Sequence, residues 1–206
     1  MIPGPNEILR IPTSGDLVKI ATLTSGNTFG ADWWSDGKMD APMLPDRPWL
    51  RRHPDTGETF WTDECEEIGS EEPWSESGES GDVPFAETAT ENDLRDRLRD
   101  QSLTPEKEQY LRTRLWWIWN DAQRQDGSSA ADDTSKYDTN LRKLRSLLDV
   151  DDPDSRLMAA EVSRELGDHD RALELLEFDY SEDYEAAVRT IRLANAQGER
   201  HVIKIT

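Results

Sequence analysis

The chain predicts an α+β protein, with a small antiparallel β-rich N-terminal part followed by an all-helical C-terminal part. Three observations carry that expectation. Residues 16–23 alternate and are rich in β-formers, proline and glycine punctuate the chain too often for a helix before residue 63, and helical apolar stripes dominate after residue 90. The 206 residues divide into a β-rich domain over 1–68, a flexible acidic linker over 69–90 and a helical domain over 91–206.

The first strand is predicted over Asp16–Leu23, and Ser25, Gly26 and Asn27 then supply turn chemistry. Beyond it, Gly30, Gly37, Pro42, Pro45, Pro48 and Pro54 leave room only for short strands and ordered loops. Trp33, Trp34, Trp49 and Trp61, with Phe29 and Phe60, are expected to form a small aromatic core, the alternative being an exposed platform for a ligand. From Gly69 to Thr90 the composition turns to Ser, Glu, Gly and Pro, which bury too little apolar area to offset the entropy of ordering. Trp74 stands in this stretch as an anchor point.

Thr104 is placed to cap a helix that opens with Pro105, and Glu106 and Glu108 favour its first turn. Leu111, Leu115, Ile118 and Ala122 form one stripe on it and Tyr110 and Trp117 a second, with Trp116 roughly opposite the first. A helix apolar on so many sides is sandwiched, so Trp116 and Trp117 make either a domain contact or a partner contact. Residues 126–134 form a polar loop before the next helical pattern. Val202–Ile205 is expected as a short closing strand.

Charge bounds the function. The chain has 44 acidic and 24 basic side chains, net −20, which repels phosphate backbones and anionic lipid, so neither direct nucleic-acid binding nor a membrane role is expected. The acidity is spread along the chain and serves either to dock a basic partner or to keep the surface hydrated. One cysteine, Cys65, cannot form an internal disulfide, and the first residues lack a basic and apolar leader pattern, so a bacterial or archaeal cytoplasm is the expected home.

Familiar catalytic patterns fail on inspection. Gly37-Lys38 lacks the upstream glycine of a phosphate loop and is followed by Met39 where Ser or Thr must meet magnesium. The run from Asp149 to Asp154 resembles a calcium loop, but Pro153 occupies a ligand position and Ala160 stands at position twelve; Asp152-Pro153 more simply opens a helix. His53, His169 and His201 are far apart in sequence, and no nucleophile stands in an elbow context.

Two resemblances add to this reading. Residues 22–30, Trp34-Ser35-Asp36-Gly37-Lys38, residues 41–45 and Phe60-Trp61 resemble a group of bacterial proteins that begin with a zinc-ribbon-like segment. In that group a Cys-Pro-x-Cys-Gly knuckle precedes the Phe-Trp pair; here His53-Pro54-Asp55-Thr56-Gly57 matches it. The resemblance implies a ribbon or rubredoxin-type fold over about residues 16–67, without the knuckle thiolates. Residues 154–177, with Leu157, Ala160, Leu166-Gly167-Asp168, Ala172 and Leu176, resemble one tetratricopeptide-type helical hairpin, in which Gly167 lets the chain turn.

The expected function is a non-catalytic protein–protein interaction module, an adaptor or immunity-type neutraliser of a basic or peptide-bearing partner. Its binding candidates are Trp74, Trp116, Trp117, Asp132 and Asp133. The alternative is a degenerate metal-ribbon protein with a metal or redox-sensing role. No cofactor and no metal site is expected, His53, Asp55 and Cys65 being the residual ligand candidates.

Overall fold

The computed structural model describes residues 1–74, 83–126 and 134–206. Its strands are β1 (Ile2–Arg10), β2 (Leu17–Ser25), β3 (Asp32–Trp33), β4 (Met39–Asp40), β5 (Leu50–Arg52), β6 (Thr59–Trp61), β7 (Glu66–Glu71) and β8 (Glu87–Thr88). The helices are α1 (Glu91–Arg97), α2 (Pro105–Asp126), α3 (Thr134–Leu147), α4 (Pro153–Glu165), α5 (His169–Leu176) and α6 (Glu185–Ala196). Antiparallel strands in the N-terminal half and helices in the C-terminal half make this an α+β protein. Two compact units divide the chain: Met1–Ala31 with Asp40–Asp93, and Asp32–Met39 with Leu94–Thr206.

In the first unit one sheet has the order β2-β1-β7 and another the order β6-β5-β8. The alternation expected over residues 16–23 is β2, paired with β1 through Leu9↔Val18 and Glu7↔Ile20. That β1 reaches back to Ile2 is a finding, because Pro3, Gly4 and Pro5 argue against a central strand. Register shifts between Ile2 and Pro3 and between Gly4 and Glu7 absorb the missing donors. Thr22 Oγ1 donates to the Pro5 carbonyl at 2.7 Å. Gly4 is required there, since a Cβ would stand 2.4 Å from Thr22 Oγ1.

Leu9, Ile11, Val18, Ile20 and Phe60 form this unit's core, with Cys65 and Ala86 packed against it. The aromatic core expected from composition is only partly realised. Phe60 and Trp61 are buried, and Trp49 meets Trp61 edge-on at 5.1 Å, but Phe29 is 83% exposed. The stretch 69–90, read from its composition as a flexible linker, is paired with strands at both of its described ends. It starts inside β7, and Pro84 to Ala86 then flank β2 through Lys19 N–H to Pro84 O (2.8 Å) and Ala86 N–H to Lys19 O (2.9 Å). An edge strand needs backbone partners on one side only, so β7 tolerates largely exposed polar side chains. Residues 75–82 of that stretch lie outside the described residues.

The helical unit follows its local signals. Thr104 Oγ1 accepts from Lys107 N–H and Thr104 O from Glu108 N–H, capping α2, and Asp152 Oδ2 accepts from Ser155 N–H at 2.9 Å with Pro153 at the first position of α4. Gly167 takes φ +78° between α4 and α5, where an L side chain would be strained. Trp116, Leu141, Leu144, Ala159, Ala160, Val162, Leu176 and Ile191 pack into one core, the two alanines letting helices approach closely. The closing strand reduces to a single bridge, Trp34↔Lys204, beside Ser35 N–H to Ile203 O and Ile205 N–H to Trp33 O, each 2.8 Å. No helix among the described residues is long and apolar enough to cross a membrane.

Candidate functional site

Two features of the helical unit carry chemistry: a buried cluster of charges and an open groove beside α6. The cluster is assembled by α2, α3, α4 and the turn at Ser35–Gly37. Gly37 N–H to Trp34 O (2.9 Å) and Trp34 N–H to Lys38 O (2.9 Å) close that turn, with Gly37 at φ +78°. Asp36 is thereby held fully buried, accepting from Asn120 Nδ2 at 2.9 Å, from the Lys38 N–H at 3.2 Å and from the Arg124 guanidinium. Burial pushes its carboxyl upward, against the pull of Arg124 and Asn120.

On α4, Arg164 is completely buried and grips Glu161 with Nε to Oε2 at 2.7 Å and Nη2 to Oε1 at 2.5 Å. The same guanidinium donates to the carbonyls of Glu199 and of His201, the latter at 2.8 Å. Ser35 Oγ donates to Glu161 Oε1 at 2.5 Å and accepts from Ile203 N–H at 2.9 Å. Glu165, one turn on, receives the Trp116 indole N–H on Oε2 at 2.6 Å and lies 3.4 Å from Asn120 Nδ2. The Tyr137 hydroxyl bonds to both Glu165 Oε2 and Asn120 Oδ1, the latter at 2.8 Å. Burial first, and the Glu161 carboxylate second, hold the Glu165 carboxyl well above the ordinary range. These groups bond to one another and are shielded from solvent, with Arg124 Nε left without a hydrogen-bond partner among the described residues, so they hold the helices of this unit together.

The groove has a volume of about 600 Å³ and runs along α6 under the segment that follows α5. Phe178, Tyr180, Val188 and Leu193 supply its apolar surface, and Leu193 is 59% exposed. Phe178 and Tyr180 meet edge-on at 5.1 Å, and Tyr180 lies 5.6 Å from Tyr184. A bond from the Tyr184 hydroxyl to Asp154 Oδ1 (2.7 Å) pushes that phenol up to about 12. The nearby arginines are engaged: Arg192 with Leu176 O (2.5 Å), Arg189 with Thr206 O (3.1 Å) and Arg156 with Leu175 O and Val150 O, both 2.9 Å. Asp179, Glu182 and Glu185 line the groove, exposed and without an ion-pair partner among the described residues.

The residues singled out from sequence fall elsewhere. Trp116 is 0% exposed, so it is a core residue and not a partner anchor: the stripe opposite Leu111 is covered by α3 and α4, and its indole N–H is spent on Glu165. Trp117 is half-buried, donating to Asp36 O at 3.0 Å under the Arg114 guanidinium. Trp74 is 77% exposed in the strand-rich unit. Asp132 and Asp133 lie outside the described residues. His53 sits in the turn between β5 and β6, its Nδ1 accepting the amides of Asp55 (3.2 Å) and Thr56 (3.3 Å), which takes the lone pair a metal would need. Cys65 donates to Trp61 O at 3.3 Å, and burial, then Glu64, Asp63 and Glu58, push its thiol up to about 11. Among the described residues no three His, Cys, Asp or Glu side chains gather to hold a metal.

Sequence reasoning missed both features. A Glu-x-x-Arg-Glu run on a helix looks the same exposed or buried, and Phe178 to Glu185 reads as a connection. These features define an α+β protein whose helical unit carries a buried charge cluster and an open aromatic groove. Compared with protein-family models, curated proteins and solved structures, the chain matches none.

Proposed function

We propose that the protein is a non-catalytic interaction module whose α6 groove takes a basic segment of a partner protein. The observation that carries this is the composition of the groove: aromatic and aliphatic surface with the three carboxylates of Asp179, Glu182 and Glu185 against two lining guanidiniums, Arg189 and Arg192, which are held on backbone carbonyls. A lysine or arginine laid there gains aromatic contact with Tyr180, the Phe178 ring already carrying the Arg156 guanidinium 4.9 Å from its centroid, and faces unpaired carboxylates. The net charge of −20 steers such a partner toward the whole surface, while the groove supplies the short-range fit. A hairpin of the tetratricopeptide type followed by a further helix suits this reading. The buried cluster supports a non-catalytic role, because its carboxylates are occupied by Arg124, Arg164, Asn120 and Trp116.

The test is fluorescence anisotropy with a labelled Lys/Arg-rich ten-residue peptide, its Glu-substituted counterpart and a neutral one. We expect binding of the basic peptide alone, weakened by salt over the roughly 8–10 Å screening lengths of ordinary buffers. Glu182→Lys with Glu185→Lys, and separately Leu193→Lys, should each weaken it about tenfold, since all three side chains are exposed and tolerate exchange. Basic-peptide binding untouched by these variants would remove the groove from the proposal. Failure of the basic peptide to bind at low salt would overturn the choice of a basic occupant.

A further inference from the structure

The buried cluster contains three carboxyl groups, Asp36, Glu161 and Glu165, and two guanidinium groups, Arg124 and Arg164. The hydrogen-bond geometry identifies which carboxyl stays unbalanced. Glu161 faces donors throughout: two arms of Arg164 and the Ser35 hydroxyl. Asp36 does too, with Arg124, Asn120 Nδ2 and the Lys38 amide. Both are satisfied only as carboxylates.

Glu165 is different. The Tyr137 oxygen bonds to both Asn120 Oδ1 and Glu165 Oε2, yet a phenol has one proton to give. Turning the Asn120 amide over does not resolve this, because its Oδ1 would then stand 2.9 Å from Asp36 Oδ2. With Asp36 held as a carboxylate by the Arg124 guanidinium, the remaining solution is a proton on Glu165. The carboxylic O–H then donates to the Tyr137 oxygen, Tyr137 donates to Asn120 Oδ1, and Asn120 Nδ2 donates to the Asp36 carboxylate. Every group in the row gains a partner, and the indole N–H of Trp116 still reaches Glu165 Oε2.

We infer that Glu165 is a neutral carboxylic acid in the folded protein at neutral pH, and that its proton is a latch holding the Ser35–Gly37 turn on the helices. The charged and titratable groups around it come from every packed element. They are Asp36 on the turn, Tyr137 on α3, Glu161 and Arg164 on α4, and Arg124 behind Asp36 on α2. From the C-terminal segment, Arg200 donates to the Glu165 backbone carbonyl at 2.7 Å, and its side chain also faces Asp138 at 3.6 Å. Among the described residues only Arg164, 3.8 Å from Oε1, could neutralise Glu165, and it is already engaged by Glu161. Loss of the proton therefore strips the Tyr137–Asn120 row of one bond and adds a third negative charge beside Asp36 and Glu161.

The sign of the pH effect follows. A carboxyl whose folded pKa is raised contributes stability that is complete below its unfolded value, near 4.5, and is lost as pH rises toward the folded value. The direct test is a carbon-13 titration of the protein labelled at glutamate side-chain carboxyls. We expect one glutamate carboxyl to remain protonated at pH 7, and its resonance to vanish in Glu165→Gln. The second readout is urea unfolding of Glu165→Gln beside the parent from pH 5 to 8. The unfolding equilibrium constant of the parent should rise relative to the variant by up to tenfold per pH unit below the folded pKa. All glutamates ionised at pH 7 would overturn the inference, with no variant required, as would a parent–variant difference that does not change with pH.

Discussion

Arg164 offers the sharpest test of how the helical unit is held. Replacing it by methionine keeps most of the side-chain volume but removes the guanidinium. Glu161, itself fully buried, then loses both arms of its counter-ion. Removing one partner of a buried pair costs about 3–5 kcal/mol, because the remaining charge is left uncompensated. The carbonyls of Glu199 and His201 also lose their donor, which pushes the cost toward the upper end. With a urea dependence near 2 kcal/mol/M, the midpoint falls by about 1.5–2.5 M. Far-UV circular dichroism against urea reads it through the helices. Arg164→Met combined with Glu161→Gln should recover about half of the loss, since no charge is then stranded. A single variant within about 0.5 kcal/mol of the parent, or a double variant as unstable as the sum of the two singles, would refute the reasoning.

Gly167→Ala should cost about 1–2 kcal/mol through the left-handed backbone alone, because an added Cβ meets nothing closer than Arg200 Nε at 3.9 Å. Gly167→Asn should recover part of that, and an unchanged urea midpoint for the alanine variant would show that the α4–α5 turn relaxes without strain. Cys65, whose thiol is pushed from 9.0 up to about 11, should react with a disulfide reagent at pH 8 roughly tenfold more slowly than in urea, the lower thiolate fraction being partly offset by a more nucleophilic thiolate. Native and denatured rates that agree would mean that neither burial nor Glu64, Asp63 and Glu58 act on it.

What could be read in the sequence was local chemistry. Asp152-Pro153, Thr104-Pro105 and Gly167 each act through bonds or dihedral angles within a few residues, and each marks the helix boundary expected of it. The strand β2 was readable because its β-forming residues pair with β1, although Lys19 is buried between Val18 and Ile20 and the burial does not alternate. The strand β1 was hidden because Pro3, Gly4 and Pro5 are admitted by irregular pairing that only the partner strand reveals. Trp116 was left open between a domain contact and a partner contact for a related reason: a ring on a helix face says that something covers it, not whether that is another helix or another protein. The charge cluster was invisible because Asp36 stands beside a turn glycine, and a Glu-x-x-Arg spacing on a helix is the same at a surface as in a core. Burial is decided by contacts far along the chain.

That distance also sets an order of assembly. As the chain is synthesised, the Ser35–Gly37 turn emerges long before what holds it: Asn120 is 84 residues downstream of Asp36, and Ile203 is 168 downstream of Ser35. Helical hairpins close quickly from neighbouring contacts, whereas bonds across such spans wait on loop closure. The hairpin of α4 and α5 can therefore form while Asp36 is still hydrated and Arg164 still lacks the carbonyls of Glu199 and His201. The cluster behaves as a seal set last. A nascent chain stalled before residue 199 would carry formed helices around an unfinished, water-accessible centre, and completion of the unit would register as the disappearance of that water.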